Sequence, residues 1–312
     1  PNVIPHRWNA FAECPIVDES LRKFASGDPG AELNLREAAG LCMFRSPKFG
    51  YAPVLLGDGS NGKSTYIAML RALLGNENVS SLDLATIGKN FMAQHVAGKL
   101  ANIGDDISNE FLKGDTLATF KKIATGSRIF SDVKNGVGFE FDPYCTLMFS
   151  ANEFPRLGDS GYGVMRRLFP IRFNATFRRE DADYDPDIVS KLTSEEASMR
   201  FAVIAVDGLR RVIRNGEMTP NRESERSKGE IERDNDPVLL WIDEAGVERA
   251  DLAGRVNSDA YRDFSEWCRS NGAMPVKITK FSRTVCGTLG LKSVPETVET
   301  VGKGKKKMRV YR

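Results

Sequence analysis

The sequence predicts an α/β protein of two units, on three observations. Between residues 49 and 180, short β-type runs (APVLL, KLANI, CTLMFSA, RLFPIRF) alternate with helical ones, the pattern of a mostly parallel sheet. One run opens into GDGSNGKST at residues 57–65, three glycines followed by a lysine and two hydroxyls where a strand meets a helix. TPNRESERSKGEIERDNDP, residues 219–237, is polar and charged almost throughout, which reads as a linker or exposed helix marking the boundary between a core over 49–218 and a smaller unit over 238–312.

Bulk properties bound the possibilities. A chain of 312 residues holds about two domains. Its 41% apolar and 28% charged residues are those of a globular protein, and no apolar run is long enough to predict a membrane span. It opens at Pro1 with neither an initiator Met nor a signal pattern, so it reads as a piece of a longer protein. Five scattered cysteines without a CxxC pair, and only His6 and His95, argue against a zinc site and for reduced thiols of a cytosolic protein. The net charge is +2, but residues 280–312 carry nine basic against two acidic residues, +7, which leaves −5 for the remainder. That asymmetry predicts a local anion-binding surface at the C-terminal end.

The elements follow in order. Residues 1–48 are predicted helical, as FAECPIVDESLRKFASGD and then AELNLREAAGLCMF. The run APVLL leads into the glycine loop. Behind it Tyr66, Ile67, Met69, Leu70, Leu73 and Leu74 keep helical spacing up to a stop at Gly75. KLANI ends on Asp105 and Asp106, and CTLMFSAN ends a buried strand on Asn152. RIFSDVKNGVGFEF (128–141) predicts a hairpin, because Asn135-Gly136 suits a type I′ turn with positive φ at both central positions. GVMRRLFPIRF places Arg166 and Arg167 before another strand, and 196–216 is an amphipathic helix stopped at Gly216. In the last unit VLLWIDEAG and SDAYRDFSEWCRSNG are helical, with Ser258 as the expected N-cap. TKFSRTVCGTLG is a third helix, and ETVETVGKGKKKMRVYR a hairpin.

The glycine loop carries the clearest chemistry. GDGSNGKS fits G-x-x-x-x-G-K-[ST], with Gly57, Gly62, Lys63 and Ser64 in the defining positions and Asp58, Gly59, Ser60 and Asn61 between them. Glycines let the backbone turn its N–H groups inward, and the following helix aims its positive end at phosphate. Lys63 would reach the β- and γ-phosphates of ATP, Ser64 would coordinate Mg²⁺, and Thr65 would extend the helix start. Hydrolysis further requires a metal-shell carboxylate and a group that positions water. Asp105 and Asp106 suit these two jobs at a strand end, although Gly-Asp-Asp is also ordinary turn chemistry. Asp105 is the expected metal ligand and Asp106 the expected water activator. Asn152 would hold the attacking water and sense the γ-phosphate. Arg166 and Arg167 could stabilise charge at a neighbouring subunit's site, and Lys134, at the hairpin tip, could touch a phosphate backbone. Lys280, Arg283, Lys305, Lys306 and Lys307 are expected to contact DNA phosphates.

The ordered set GDGSNGKST, ANIGDDIS, FKKIATGSRIFSDVKNG, LMFSANEFP and MRRLFPIRF resembles a superfamily 3 helicase, of the phage, plasmid and poxvirus primase-helicase branch, over roughly residues 30–310. FKKIATG is similar to the family's B-prime motif and LMFSAN to its motif C. The resemblance implies an AAA+ type P-loop ATPase core with an N-terminal helical segment, similar to a collar, over residues 1–48 and a C-terminal winged-helix domain. It implies an ATP- and Mg²⁺-dependent replicative DNA helicase, assembled as a hexameric ring and moving 3′-to-5′ on single-stranded or forked DNA in the (host) cytoplasm. An N-terminal primase or polymerase domain would belong to the full-length parent. By position Lys134 matches the channel hairpin lysine, Asn152 the sensor, and Arg166 or Arg167 the finger. One departure is the acidic pair: many relatives carry a glutamate where this chain has Asp-Asp, which shortens the reach of the base.

Two other function classes are open to the sequence. An ATP-assembled DNA-binding initiator or scaffold would use the winged helix as its working part and would not unwind. A small-molecule kinase would leave the basic C-terminal end and the hairpin without a role.

Overall fold

The computed structural model describes residues 2–105, 115–154, 162–181, 184–271, 273–300 and 304–312. Two helices open the chain, α1 (Pro15–Phe24) and α2 (Pro29–Met43). Each begins on a proline at a position where a missing N–H costs nothing, and the Asp28 carboxylate caps α2 by accepting from Gly30 N. Residues before Pro15 are not helical, so the first helix starts later than predicted. Then come β1 (Ala52–Leu56), α3 (Lys63–Leu74), β2 (Val79–Ser80), β3 (Ala101–Gly104), α4 (Asp115–Thr125), and the hairpin β4 (Ile129–Ser131) with β5 (Phe139–Phe141). They are followed by β6 (Thr146–Ala151), α5 (Tyr162–Met165), β7 (Leu168–Arg172), α6 (Ile188–Leu192), α7 (Glu195–Asn215) and α8 (Arg222–Asp234).

The predicted strands APVLL, KLANI, CTLMFSA and RLFPIRF all form, joined by the two-residue β2, in one parallel sheet of order β2-β3-β6-β1-β7. β1 is buried at all positions, as is β6, because helices cover both faces of a parallel sheet. The apolar stripe of α3 packs into the main core with α2, α7 and the sheet. There Tyr66 lies 5.9 Å from the Phe173 ring and 6.0 Å from Phe201, and its hydroxyl donates to Leu35 O. Each fully buried aromatic or aliphatic side chain here contributes about 1.5–3 kcal/mol.

Helices α2 and α7 cross at two glycines. A Cβ on Gly40 would fall 2.4 Å from Ala205 O, and one on Gly208 2.2 Å from Arg36 O, so the two backbones touch. Beside the crossing, fully buried Glu37 accepts from Thr219 N and Oγ1 and pairs with Arg211 at 3.2 Å, so its charge is matched rather than stranded. Ser194 caps α7, and Gly216, at φ 80°, ends it as the sequence predicts.

Of the two readings of the boundary stretch, linker or exposed helix, most of it is helix. Asn221 Oδ1 accepts from Glu223 N and Ser224 N to start α8, and Ser224, Ser227 and Ile231 are buried. Contacts divide the chain inside this helix, one unit reaching Gly229 and the other running from Glu230 to Arg312.

The second unit holds α9 (Pro237–Glu244), α10 (Arg249–Leu252), α11 (Asn257–Ser270), α12 (Ile278–Leu289) and the antiparallel hairpin β8 (Ser293–Thr300) with β9 (Gly304–Tyr311). Trp241, Phe264 and Phe281 make its core, the last two rings stacked at 4.8 Å. Val256, not Ser258, occupies the N-cap of α11; Val256 is drawn into a β-bridge with Val310, and the helix begins two residues earlier than a Ser258 cap predicts.

Candidate functional site

After β1 the chain makes a tight, left-handed-rich loop. Gly57 has φ 155°, Gly59 102°, Ser60 46° and Gly62 94°. A side chain at Gly57 would meet Asn61 Nδ2 at 2.2 Å and Phe173 O at 2.7 Å, and one at Gly62 would strike the Phe24 ring at 2.4 Å. Glycine is therefore required at both positions, by conformation and by space. Helix α3 starts on Lys63 with Gly62 as N-cap and no side-chain cap, so the first-turn N–H groups gain no side-chain partner from that cap.

Lys63 is buried, and its ammonium donates to the Gly57 carbonyl and, at 3.5 Å, to Asn152 Oδ1. Asn61 accepts weakly from Lys63 N at 3.4 Å, while its Nδ2, also buried, has no hydrogen-bond partner. A buried donor without an acceptor costs about 1–3 kcal/mol. Orphan amide, open helix start and buried ammonium are all donors, and they fit one kind of guest, a polyanion with several acceptor oxygens.

The parallel sheet brings the other expected groups to this edge. Leu56 pairs with Ala151 and Gly57 N donates to Ala151 O, so the loop and Asn152 leave adjacent strands side by side. Gly104 pairs with Phe149, which puts Asp105 at the same edge. Lys63, Ser64, Thr65, Asp105 and Asn152 line one cleft of about 680 Å³ together with Gly59, Ser60, Asn61 and Gly62. Asp58 is exposed and is not among the lining residues. Asp106 lies outside the described residues.

The cleft has walls that motif reading missed. Lys23 and Phe24 come from α1, and Phe177, Arg179, Tyr184 and Val189 from the segment after β7. No spacing rule links these residues. The hydrogen bonds Phe173 N to Leu56 O and Phe177 N to Ser60 O, both 2.8 Å, and the packing of Phe173 and Phe177 on Phe24 hold the later segment against the loop.

Other expected groups sit elsewhere. Ala52 pairs with Leu168 and Leu56 with Arg172, so Arg166 and Arg167 enter at the opposite edge of the sheet. That is one strand length from the loop, about 16 Å at roughly 3.3 Å per residue. Arg166 is exposed, and the Arg167 guanidinium donates to Gly163 O. Burial, and then the adjacent Arg166 charge, pull the Arg167 pKa below the usual arginine value.

Lys134 is exposed on the β4–β5 connection, but not on a two-residue turn. Phe139 pairs with Ser131, so residues 132–138 form the loop. Gly136 N donates to Val133 O at 3.0 Å, and only Asn135 takes positive φ, at 60°. Lys134 and Asn135 are thus the central pair, which corrects the predicted Asn-Gly type I′ turn. Phe130, Val137 and Phe139 are exposed around it.

In the second unit Arg283, Lys306 and Lys307 line a groove of about 600 Å³ between α12 and β9, with Ser258 and Thr279 at its side. Lys280 does not line it. Its ammonium pairs with Asp236 at 3.2 Å. The Lys305 side chain lies outside the described residues.

The profile of a family of unknown function, DUF5906, matches residues 55–167, from the end of β1 to the start of β7. No curated protein matches the sequence. Among solved structures, the chain is similar to the C-terminal region of NrS-1 in its A-form apo structure. The TM-score is 0.57 at 14% identity, over 99% of this chain and 76% of that one. Another apo structure of the same region gives a TM-score of 0.55 at 15% identity, over 98% and 77%. At such identities the likeness is one of fold, and it runs through nearly the whole chain.

Proposed function

We propose that the chain is the motor part of an ATP-dependent, replicative DNA helicase with a superfamily 3, AAA+ type P-loop core. The observation that carries this reading is the convergence of a donor-rich glycine cradle, a buried lysine, a strand-end aspartate and a strand-end asparagine on one cleft. Lys63 neutralises charge on the β- and γ-phosphates, while the α3 amides and Asn61 Nδ2 hold their oxygens. Ser64 and Asp105 would hold Mg²⁺, which would supply charge shielding of the phosphate oxygens. Among the described residues no group of three or more metal-type side chains converges. Mg²⁺ takes one or two protein ligands and keeps phosphate and water. Asn152 positions the attacking water, and Asp106, the expected water activator, accepts its proton.

Arg166 and Arg167, a strand length from their own loop, serve the cleft of a neighbouring subunit in a ring. Lys134 follows the phosphates of a single strand, and the groove carrying Arg283, Lys306 and Lys307 holds DNA as part of a winged-helix module. Among the described residues no helix is long and apolar enough to cross a membrane, and the proposed work lies in the host cytoplasm, on replicating DNA.

The test is phosphate release with and without single-stranded DNA, beside unwinding of a forked duplex. We expect DNA to raise the hydrolysis rate, and Lys134→Ala to stop unwinding while nucleotide still binds. A hydrolysis rate indifferent to DNA over a range of salt would sink the helicase reading.

A further inference from the structure

Two large apolar side chains face the cleft without being buried by the fold. Tyr184 is 41% exposed and Val189 43%, and both line the space beside the glycine loop, as do Phe177 and Ile188. The wall they form is fixed at both ends. Phe177 N donates to Ser60 O at 2.8 Å, which ties its start to the loop itself. Its end is α6, which packs on α3, the helix that starts in the loop. Phe177 is braced edge-on by Phe24, at 6.1 Å and 88°.

From this geometry we infer that the wall formed by Phe177, Tyr184, Ile188 and Val189 is the nucleobase subsite, and that it selects purine over pyrimidine nucleoside triphosphates by stacking rather than by reading base edges. This rests on the phosphate-loop reading of the same cleft. An apolar wall beside a triphosphate cradle suits the flat face of a base, because every base has a π-face and the larger ring system covers more surface. The acid on this wall is already engaged. Asp185 Oδ1 accepts from Asp187 N at 3.0 Å and Oδ2 pairs with the Lys191 ammonium at 2.5 Å. Of the other charged side chains in the lining, Lys23, Lys63 and Arg179 are donors suited to phosphate oxygens, and Asp105 is the proposed metal ligand beside the loop. Adenine and guanine should therefore bind alike.

Equilibrium titrations with ATP, GTP, UTP and inorganic tripolyphosphate test the inference, on the wild-type chain and on Tyr184→Ala and Val189→Ser, with melting curves as a folding check. For the wild type we expect ATP and GTP to agree within about threefold, with UTP and tripolyphosphate about tenfold weaker. Tyr184→Ala should weaken ATP about tenfold and leave tripolyphosphate within about twofold. Val189→Ser should act in the same sense but less, and provides the measurement if Tyr184→Ala does not fold. Equal losses for ATP and tripolyphosphate, unchanged ATP binding in both variants, or strong preference for one purine would overturn the inference while leaving the phosphate loop in place. A wild-type chain that binds neither ATP nor tripolyphosphate would overturn the loop reading, and this one with it.

Discussion

The cleft of the first unit and the groove of the second both gather hydrogen-bond donors and cations, and they do so in opposite ways. The cleft, about 680 Å³, draws on backbone N–H groups, glycines in left-handed conformations and a lysine buried among acceptors. The groove, about 600 Å³, presents Arg283, Lys306 and Lys307 from a helix and a strand whose shapes do not depend on them. A preorganised cradle concentrates recognition in a few irreplaceable positions, whereas a row of side-chain cations spreads it over many. The first should fail abruptly on single substitutions and the second gradually.

The largest expected effect breaks the cleft. Lys63→Ala should lower DNA-stimulated phosphate release by about 10²–10³-fold, the scale of losing one charge-stabilising donor. DNA retention on a filter should change little, because the groove is untouched. Next comes Gly62→Ala. A methyl group there is strained at φ 94° and meets the Phe24 ring. We expect about 1–3 kcal/mol of lost stability in denaturant titrations, with nucleotide affinity falling in step. Arg283→Ala and Lys307→Ala should each weaken duplex or single-strand binding only a few-fold, and each should reduce the salt slope by about 0.7–0.9. If either one abolished binding, the groove would be a cradle too, and the contrast would be wrong.

The smallest effect concerns the support behind the cleft. Hydrogen bonding from Arg200, aided by the charges of Arg200, Arg36 and Arg22, holds the Asp18 carboxyl below the usual aspartate range and fastens α1 to α7. A depressed folded-state value means that this stabilisation is present above the unfolded value and is lost as pH falls through the folded one. Thermal melts should therefore lose stability below the ordinary aspartate range, and Asp18→Asn should flatten that acid limb.

Most strands of the sheet and the conformation of the glycine loop could be read from the sequence because their physics is local. β1 and β6 are continuous apolar runs buried on both faces, and glycine spacing encodes the loop directly. β2 has two residues, too few for any periodicity, and exists only because β3 lies beside it. The Asn135-Gly136 signal misled because pairing of Ser131 with Phe139 makes the connection seven residues, 132–138. Lys280 looked free for DNA because its partner Asp236 is remote in sequence. Phe24, Phe177 and Tyr184 were invisible for the same kind of reason. Their contribution to the cleft is set by tertiary approach, and no motif spacing records it. Asn61 is expected in the site from its place in the loop, but its unmatched buried amide shows only in three dimensions.

The glycine contact between α2 and α7 has a consequence for how this sequence can drift. Gly40 and Gly208 each meet main chain, which has no rotamer to yield. In a saturation library both columns should come back nearly blank, while neighbouring surface positions such as Arg210 tolerate most exchanges. Remote descendants would be traceable by that helical glycine pair after much of the surrounding surface had been rewritten.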